Sequence, residues 1–111
     1  AKKLSQARTY AQKAISFNEN YGEPYILLAQ MYGSNPNWSD EPALNRCTYY
    51  VVIDKLQRAK AVDPSVTDKV NELIATYARH TPQAKDLFML GYKAGDRITI
   101  GGWIGESTTI R

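Results

Sequence analysis

Cysteine and histidine occur once each in these 111 residues, as Cys47 and His80. One cysteine excludes an internal disulfide framework and a zinc site built from paired thiolates. A single imidazole in a different segment gives that thiol no evident base, so cysteine-nucleophile chemistry is not expected. Cys47 on a helix reads as a small apolar packing residue. His80, beside Thr81-Pro82, reads as a favourable charge at a helix C-terminus or a surface polar group. No apolar run approaches the ~20 residues of a membrane helix, and neither a glycine-rich phosphate loop nor a Ser-His-Asp set is visible. The carboxylates fall mainly on exposed helix faces. No catalytic residue, metal ligand set or cofactor motif is therefore assigned, and no enzyme activity is expected. There is no signal-peptide pattern, but no initiator Met either, and the chain opens on AKKLSQARTYAQKA. That is a helix already under way, so we expect a piece of a longer parent, and the missing leader says nothing of compartment.

The apolar share is 43% and the net charge +3, with a sequence pI near 9.0. Disorder is not expected at this composition. Lys and Arg are spread from Lys2 to Arg111 and interleaved with acids; even the densest set, Lys55, Arg58 and Lys60, is flanked by Asp54 and Asp63. Nucleic-acid readers concentrate such charge into a stripe, so no nucleic-acid partner is expected.

The chain repeats itself. Ala14, Leu28 and Tyr32 recur as Ala59, Leu73 and Tyr77, each 45 residues on, and Asn18 and Glu23 find Asp63 and Asp68 at the same offset. Tyr25, Leu28, Ala29 and Tyr32 share one stripe of a helix, as do Val70, Leu73, Ile74 and Tyr77. Between the copies, Val52, Leu56 and Ala59 are spaced by four and three, with Pro64 five later. Large side chains beside small ones let the two helices of a hairpin interlock.

This pattern resembles the tetratricopeptide repeat, over roughly residues 4 to 93. Leu56 stands where that family prefers an aromatic, Val52 and Ile74 are larger than usual, and Glu19 replaces a Pro. The offset of 45 exceeds the family's ~34, and the excess lies around GSNPNWSDEPALNRCTYY. We expect an all-α domain over 1–111: antiparallel helix hairpins stacked as a right-handed superhelix, ending in a short β-hairpin or ribbon. Residues 3–18 would be the second helix of a truncated repeat, 22–64 a repeat with an inserted loop at 33–42, 65–94 the last repeat, and 95–111 a capping tail. Helices are expected near 3–18, 23–33, 41–62, 66–80 and 82–93. Their signals are Ser39 or Asp40 before Pro42, Ser65 with Asp68 as a capping box, Thr81 before Pro82, and Gly95 as a C-cap.

A stacked helical repeat makes an extended concave face. The resemblance implies that the first helix of each pair lines it, through Glu23, Ile26 and Gln30, then Asp68, Asn71, Ala75 and Arg79. Ile26, Gln30 and Ala75 do not supply the cationic set with which some family members grip a carboxylate tail. Trp38, in the inserted loop, is either a partner anchor or a ring folded over a neighbouring helix. Of the adjacent Tyr49 and Tyr50, one should enter the core.

The tail GDRITIGGWIGESTTIR alternates apolar and polar residues around Gly101-Gly102. A two-residue turn there would put Ile100 opposite Trp103 and gather Ile98, Ile100 and Trp103 on one face, with Thr99 and Ile104 on the other. That face needs cover, and the outer side of the last helix pair is the expected place. The edge could alternatively pair with a partner's strand. Together with YGEPYILLAQMY and IDKLQRAKAVDPSV, the closing GWIGESTTIR is similar to the C-terminal region of a group of exported bacterial tetratricopeptide-repeat proteins. That likeness implies a periplasmic or envelope setting and brings no catalytic residues. The expected function is a scaffold module that binds a protein or peptide on the concave face. Alternatives are a structural cap of a longer repeat array, or an accessory role near the cell wall.

Overall fold

The computed structural model describes residues 2–111; Ala1, the first residue of the expected domain, lies outside them. The chain is mostly helical, with α1 at Lys2–Phe17, α2 at Glu23–Ser34, α3 at Pro42–Arg46, α4 at Thr48–Val62, α5 at Thr67–Ala78 and α6 at Ala84–Met89. A 3-10 turn at Pro64–Val66 leads into α5, and two short strands, β1 at Arg97–Thr99 and β2 at Ser107–Thr109, form one antiparallel sheet.

The 45-residue offset is built into the backbone. At the end of α1, Asn18 N donates to Ala14 O at 3.1 Å, and at the end of α4 Asp63 N donates to Ala59 O at 3.0 Å. Tyr21 N then bonds Asn18 O as Val66 N bonds Asp63 O, at 3.1 and 3.2 Å. Even the side chains correspond: Asn18 Oδ1 accepts from Asn20 N, and Asp63 Oδ1 from Ser65 N, both at 3.1 Å. Each acts as an Asx turn that stops one helix and redirects the chain into the next. Asp63 therefore takes the capping role expected of Ser65 and Asp68. Its carboxylate also accepts Gly22 N at 2.9 Å, tying the end of α4 to the start of α2, and these hydrogen bonds hold its pKa below the usual value.

α2 is the axis of the packing. It lies between α1 and α4, while α4 in turn carries α5. Tyr25, Ile26, Leu28, Ala29 and Tyr32 are all buried, because neighbours cover more than one stripe of this helix. Fully buried Ala29 and Ala59 permit close approach of α2 and α4. Across the next junction, Lys69 of α5 pairs with Glu23 of α2 at 3.1 Å.

Three expected boundaries differ. The helix expected over 41–62 is two, separated at Cys47, where Cys47 N bonds Leu44 O and Tyr50 N bonds Cys47 O in tightened i to i+3 turns. Buried Thr48 supports the break by donating to Pro36 O at 2.9 Å. Thr81 does not cap the last helix, because its hydroxyl donates to Ala78 O at 2.8 Å and closes α5 instead. α6 begins only at Ala84 and stops well before Gly95: Tyr92 N bonds Leu87 O, Gly91 N bonds Phe88 O, and Gly91 has φ +92°. That is a Schellman ending, with glycine at the left-handed position.

The tail departs most from expectation. Ile98 pairs with Thr108 and Thr99 with Ser107, so the hairpin is joined by the long segment 100–106 and not by two glycines. A two-residue turn of the expected type needs positive φ at both central residues, and only Gly102, at +67°, has it. Gly101 serves a different need: a Cβ there would lie 3.0 Å from the Trp38 ring. With this register Ile98, Ile100, Ile104 and Ile110 all enter the core, including Ile104, which the two-residue turn would have turned outward, whereas Trp103 is only half-buried.

The tail meets the last helix pair only at its end, where Ile110 and Arg111 line a pocket with Ala84, Leu87 and Phe88 of α6. The ribbon itself lies on α4 and reaches α1 and α2. Glu106 accepts the Tyr32 hydroxyl at 2.6 Å and pairs with Lys55 at 2.7 Å, while its carbonyl accepts Ile100 N at 2.8 Å. Arg8 Nη1 donates to Trp103 O at 2.7 Å, and the Trp103 and Tyr32 rings meet edge to face with centroids 5.3 Å apart. At the chain end, Asp54 accepts Thr108 Oγ1 and pairs with Arg111, whose guanidinium lies 5.0 Å from the Tyr50 ring centroid.

Replacing Glu106 by Ala strands the buried Tyr32 hydroxyl and removes the Lys55 pair, at a cost of about 2–3 kcal/mol. We expect the melting temperature to fall by about 10 °C. An unchanged melting curve would show that the tail is not held in this way.

Candidate functional site

The residues expected on one concave face are divided between two places. Glu23, Ile26 and Gln30 line a groove between α1 and α2, together with Tyr10, Ala14 and Leu27. Its volume is about 540 Å³. Tyr10 is 75% exposed, and Tyr21 and Leu27 are close to half exposed. Ile26 departs from the expectation, being 1% exposed: it forms the groove floor and belongs to the core. Glu23 lies at the rim, engaged with Lys69, and Gln30 is exposed.

Asp68, Asn71 and Ala75 are exposed on α5 and Arg79 just after it, and none of the four lines that groove. Asn71 turns toward α4, where its Oδ1 accepts from Lys60 Nζ at 3.0 Å. The offset explains why these two sets do not merge. Asn71 and Glu72 of α5 hold the repeat positions of Ile26 and Leu27, so polar residues stand in one copy where apolar ones stand in the other. The groove side of α2 is thus the apolar version of a position that is solvated in α5.

Trp38 is a folded ring and not a free anchor. Its Nε1 donates to Leu44 O at 3.1 Å, and the ring lies over Gly101. Asn45 organises the surrounding loop: its Oδ1 accepts Trp38 N at 2.9 Å and Ser39 N at 2.8 Å, while its Nδ2 donates to Ser39 O at 2.9 Å. The loop so held walls a second cavity, of about 530 Å³, lined by Pro36, Asn37, Ser39, Arg46, Tyr49 and His80 among others. Tyr49 stacks on Tyr77 at 6.0 Å and meets His80 at 5.3 Å, whereas its neighbour Tyr50 is buried, as their adjacency requires. Tyr49 is thus the member of the adjacent pair left for the loop, whereas Arg46 carried no signal in the sequence, because its proximity to His80 depends on a contact between the end of α5 and a loop more than thirty residues earlier.

Cys47 is fully buried, and burial pushes its thiol up to about 11. It is a neutral packing group that makes a sulfur contact with Ala43 O at 3.6 Å. Burial and the Glu106 carboxylate likewise keep the Tyr32 hydroxyl protonated, as donor in its bond to the tail. No cluster of three metal-ligating side chains occurs among the described residues. No helix among them is long and apolar enough to cross a membrane.

Removing the Asn45 amide leaves Trp38 N and Ser39 N without their acceptor. In Asn45→Ala we expect faster amide exchange at 37–41 and a red shift in Trp38 emission, with far-ultraviolet helix signal unchanged. Equal exchange in both proteins would mean that the loop is held by other contacts.

No family model, curated protein or solved structure matches this chain.

Proposed function

We propose that this chain is a tetratricopeptide-like helical-repeat module that binds a protein partner in the groove between α1 and α2, without catalysis. The observation that carries this reading is the groove itself. It places Tyr10, Tyr21 and Leu27, each 45–75% exposed, around an apolar floor of Ala11, Ala14 and Ile26. Burying large apolar and aromatic side chains drives association, and such residues are the common anchors of interfaces. The repeat equivalent of Leu27 in α5 is Glu72, so the apolar character of Leu27 is not imposed by the repeat. The occupant that fits is an amphipathic helix laid along α2, with apolar side chains at helical spacing facing Leu27 and Tyr10. Glu23 and Gln30 give the rim polar contacts that set its register.

A second reading is a structural cap that closes a longer repeat array. The buried ribbon and its ties to α1, α2 and α4 favour it. The two readings are compatible, since a cap that fixes α2 also fixes the groove.

A photo-crosslinking amino acid at position 27, in the protein within its native cell, tests the groove. We expect one discrete crosslinked protein that is lost when Tyr10→Ala is added, and none from position 72, its repeat equivalent on α5. The same adducts from positions 27 and 72, or none from 27, would contradict the proposal.

A further inference from the structure

We propose that the cavity between the inserted loop and the end of α5 binds a small organic anion, one that carries a carboxylate or phosphate on a compact apolar body. Three properties of the cavity lead there. Its volume of about 530 Å³ falls in the range of small-molecule sites. It gathers Arg46 and His80, and none of its lining residues is acidic. Neither Arg46 nor His80 has a salt bridge or a side-chain hydrogen bond among the described residues.

The polar groups in its wall have unequal roles. Asn45 is largely committed: its Oδ1 accepts Trp38 N and Ser39 N, and one Nδ2 proton goes to Ser39 O, which leaves one N–H to offer. Ser39 Oγ already accepts Glu41 N at 3.1 Å, so its hydroxyl proton is what it can still offer. Asn37 and Tyr49 add an amide and a phenol to the lining. Such a set offers mainly donors, and an oxyanion supplies the acceptors it lacks. A guanidinium forms two parallel bonds to a carboxylate or phosphate, which makes Arg46 the principal contact.

The apolar part of the ligand is specified by the other wall. Pro36 and Pro42 line one side, and the Tyr49 ring, braced by Tyr77 and His80, lines another. These prolines and the ring give the cavity apolar surface against which a planar or compact apolar body can pack. All but one of the lining residues come from 36–49, the stretch that lengthens the repeat beyond the family's ~34 residues. The added chain therefore has a product, a held loop that brings Arg46 to the end of α5. This inference does not depend on the α1–α2 groove.

The test is an amide chemical-shift titration of the whole chain with phenyl phosphate, benzoate and neutral benzyl alcohol at constant ionic strength. We expect saturable shifts at Ser39, Arg46, Tyr49 and His80 with one or both anions, and binding of benzyl alcohol weaker by about tenfold or more. Arg46 is exposed and makes no bond that the fold needs, so Arg46→Gln should fold normally and lose about tenfold in affinity. Lys85→Gln, outside the cavity, should bind as the parent does. Phenyl phosphate and benzoate distinguish the two oxyanions, and inorganic phosphate alone shows what the apolar body adds. No saturable shift at these residues up to about 10 mM anion, equal binding of the neutral probe, or an Arg46→Gln protein that binds unchanged would each overturn the proposal.

Discussion

One carboxylate joins the two halves of this molecule. Glu106 sits in the C-terminal ribbon, takes the proton-bearing oxygen of Tyr32 from α2, and faces the ammonium of Lys55 from α4. Tyr32 is fully buried, so its hydroxyl must find a partner inside the protein or carry a desolvation penalty. Arg8 of α1 lies beside that oxygen as a donor, but the acceptor for its proton is Glu106 of the ribbon. The ribbon is therefore part of how the helical core satisfies its own polar group. Around that point the remaining ties make sense: Arg8 to the Trp103 carbonyl, Trp103 against Tyr32, and Asp54 to Thr108 and Arg111.

The helical frame was legible because it is local. Spacing of Tyr25, Leu28, Ala29 and Tyr32 located α2 within a residue at each end, and the offset of 45 is carried by matched helix stops at Asn18 and Asp63. The errors share a cause, which is that a side chain's local role was overruled by a distant partner. Thr81 had the chemistry of an N-cap but closed the preceding helix. Gly101 had the freedom for a turn but was needed as space beneath Trp38, so the register moved and Ile104 came inward. Cys47 looked helical, yet it is the turn between α3 and α4, a break that the bond from Thr48 to Pro36 supports.

The same distinction governs the surface. Glu23, Ile26 and Gln30 were found together because helical spacing places them together, and the groove between α1 and α2 contains them. Asn71 and Arg79 share their repeat phase but not their neighbours, and lie apart, on α5 and just after it. The cavity beside His80 could not be foreseen, since it requires an inserted loop to fold over Trp38 and meet the far end of α5. A repeat thus predicts the scaffold well, while the departures from the repeat make the individual surfaces.

If the ribbon is integral to the helical core, both must open together. Native-state hydrogen exchange tests this directly, through the buried amides of Ile100 and Ile110 in the tail and Tyr32 and Val52 in the helices. The account predicts one opening free energy for all four, equal to the global unfolding value and falling equally with denaturant. Exchange of Ile100 and Ile110 through a separate, much cheaper opening, with Tyr32 and Val52 still protected, would contradict it.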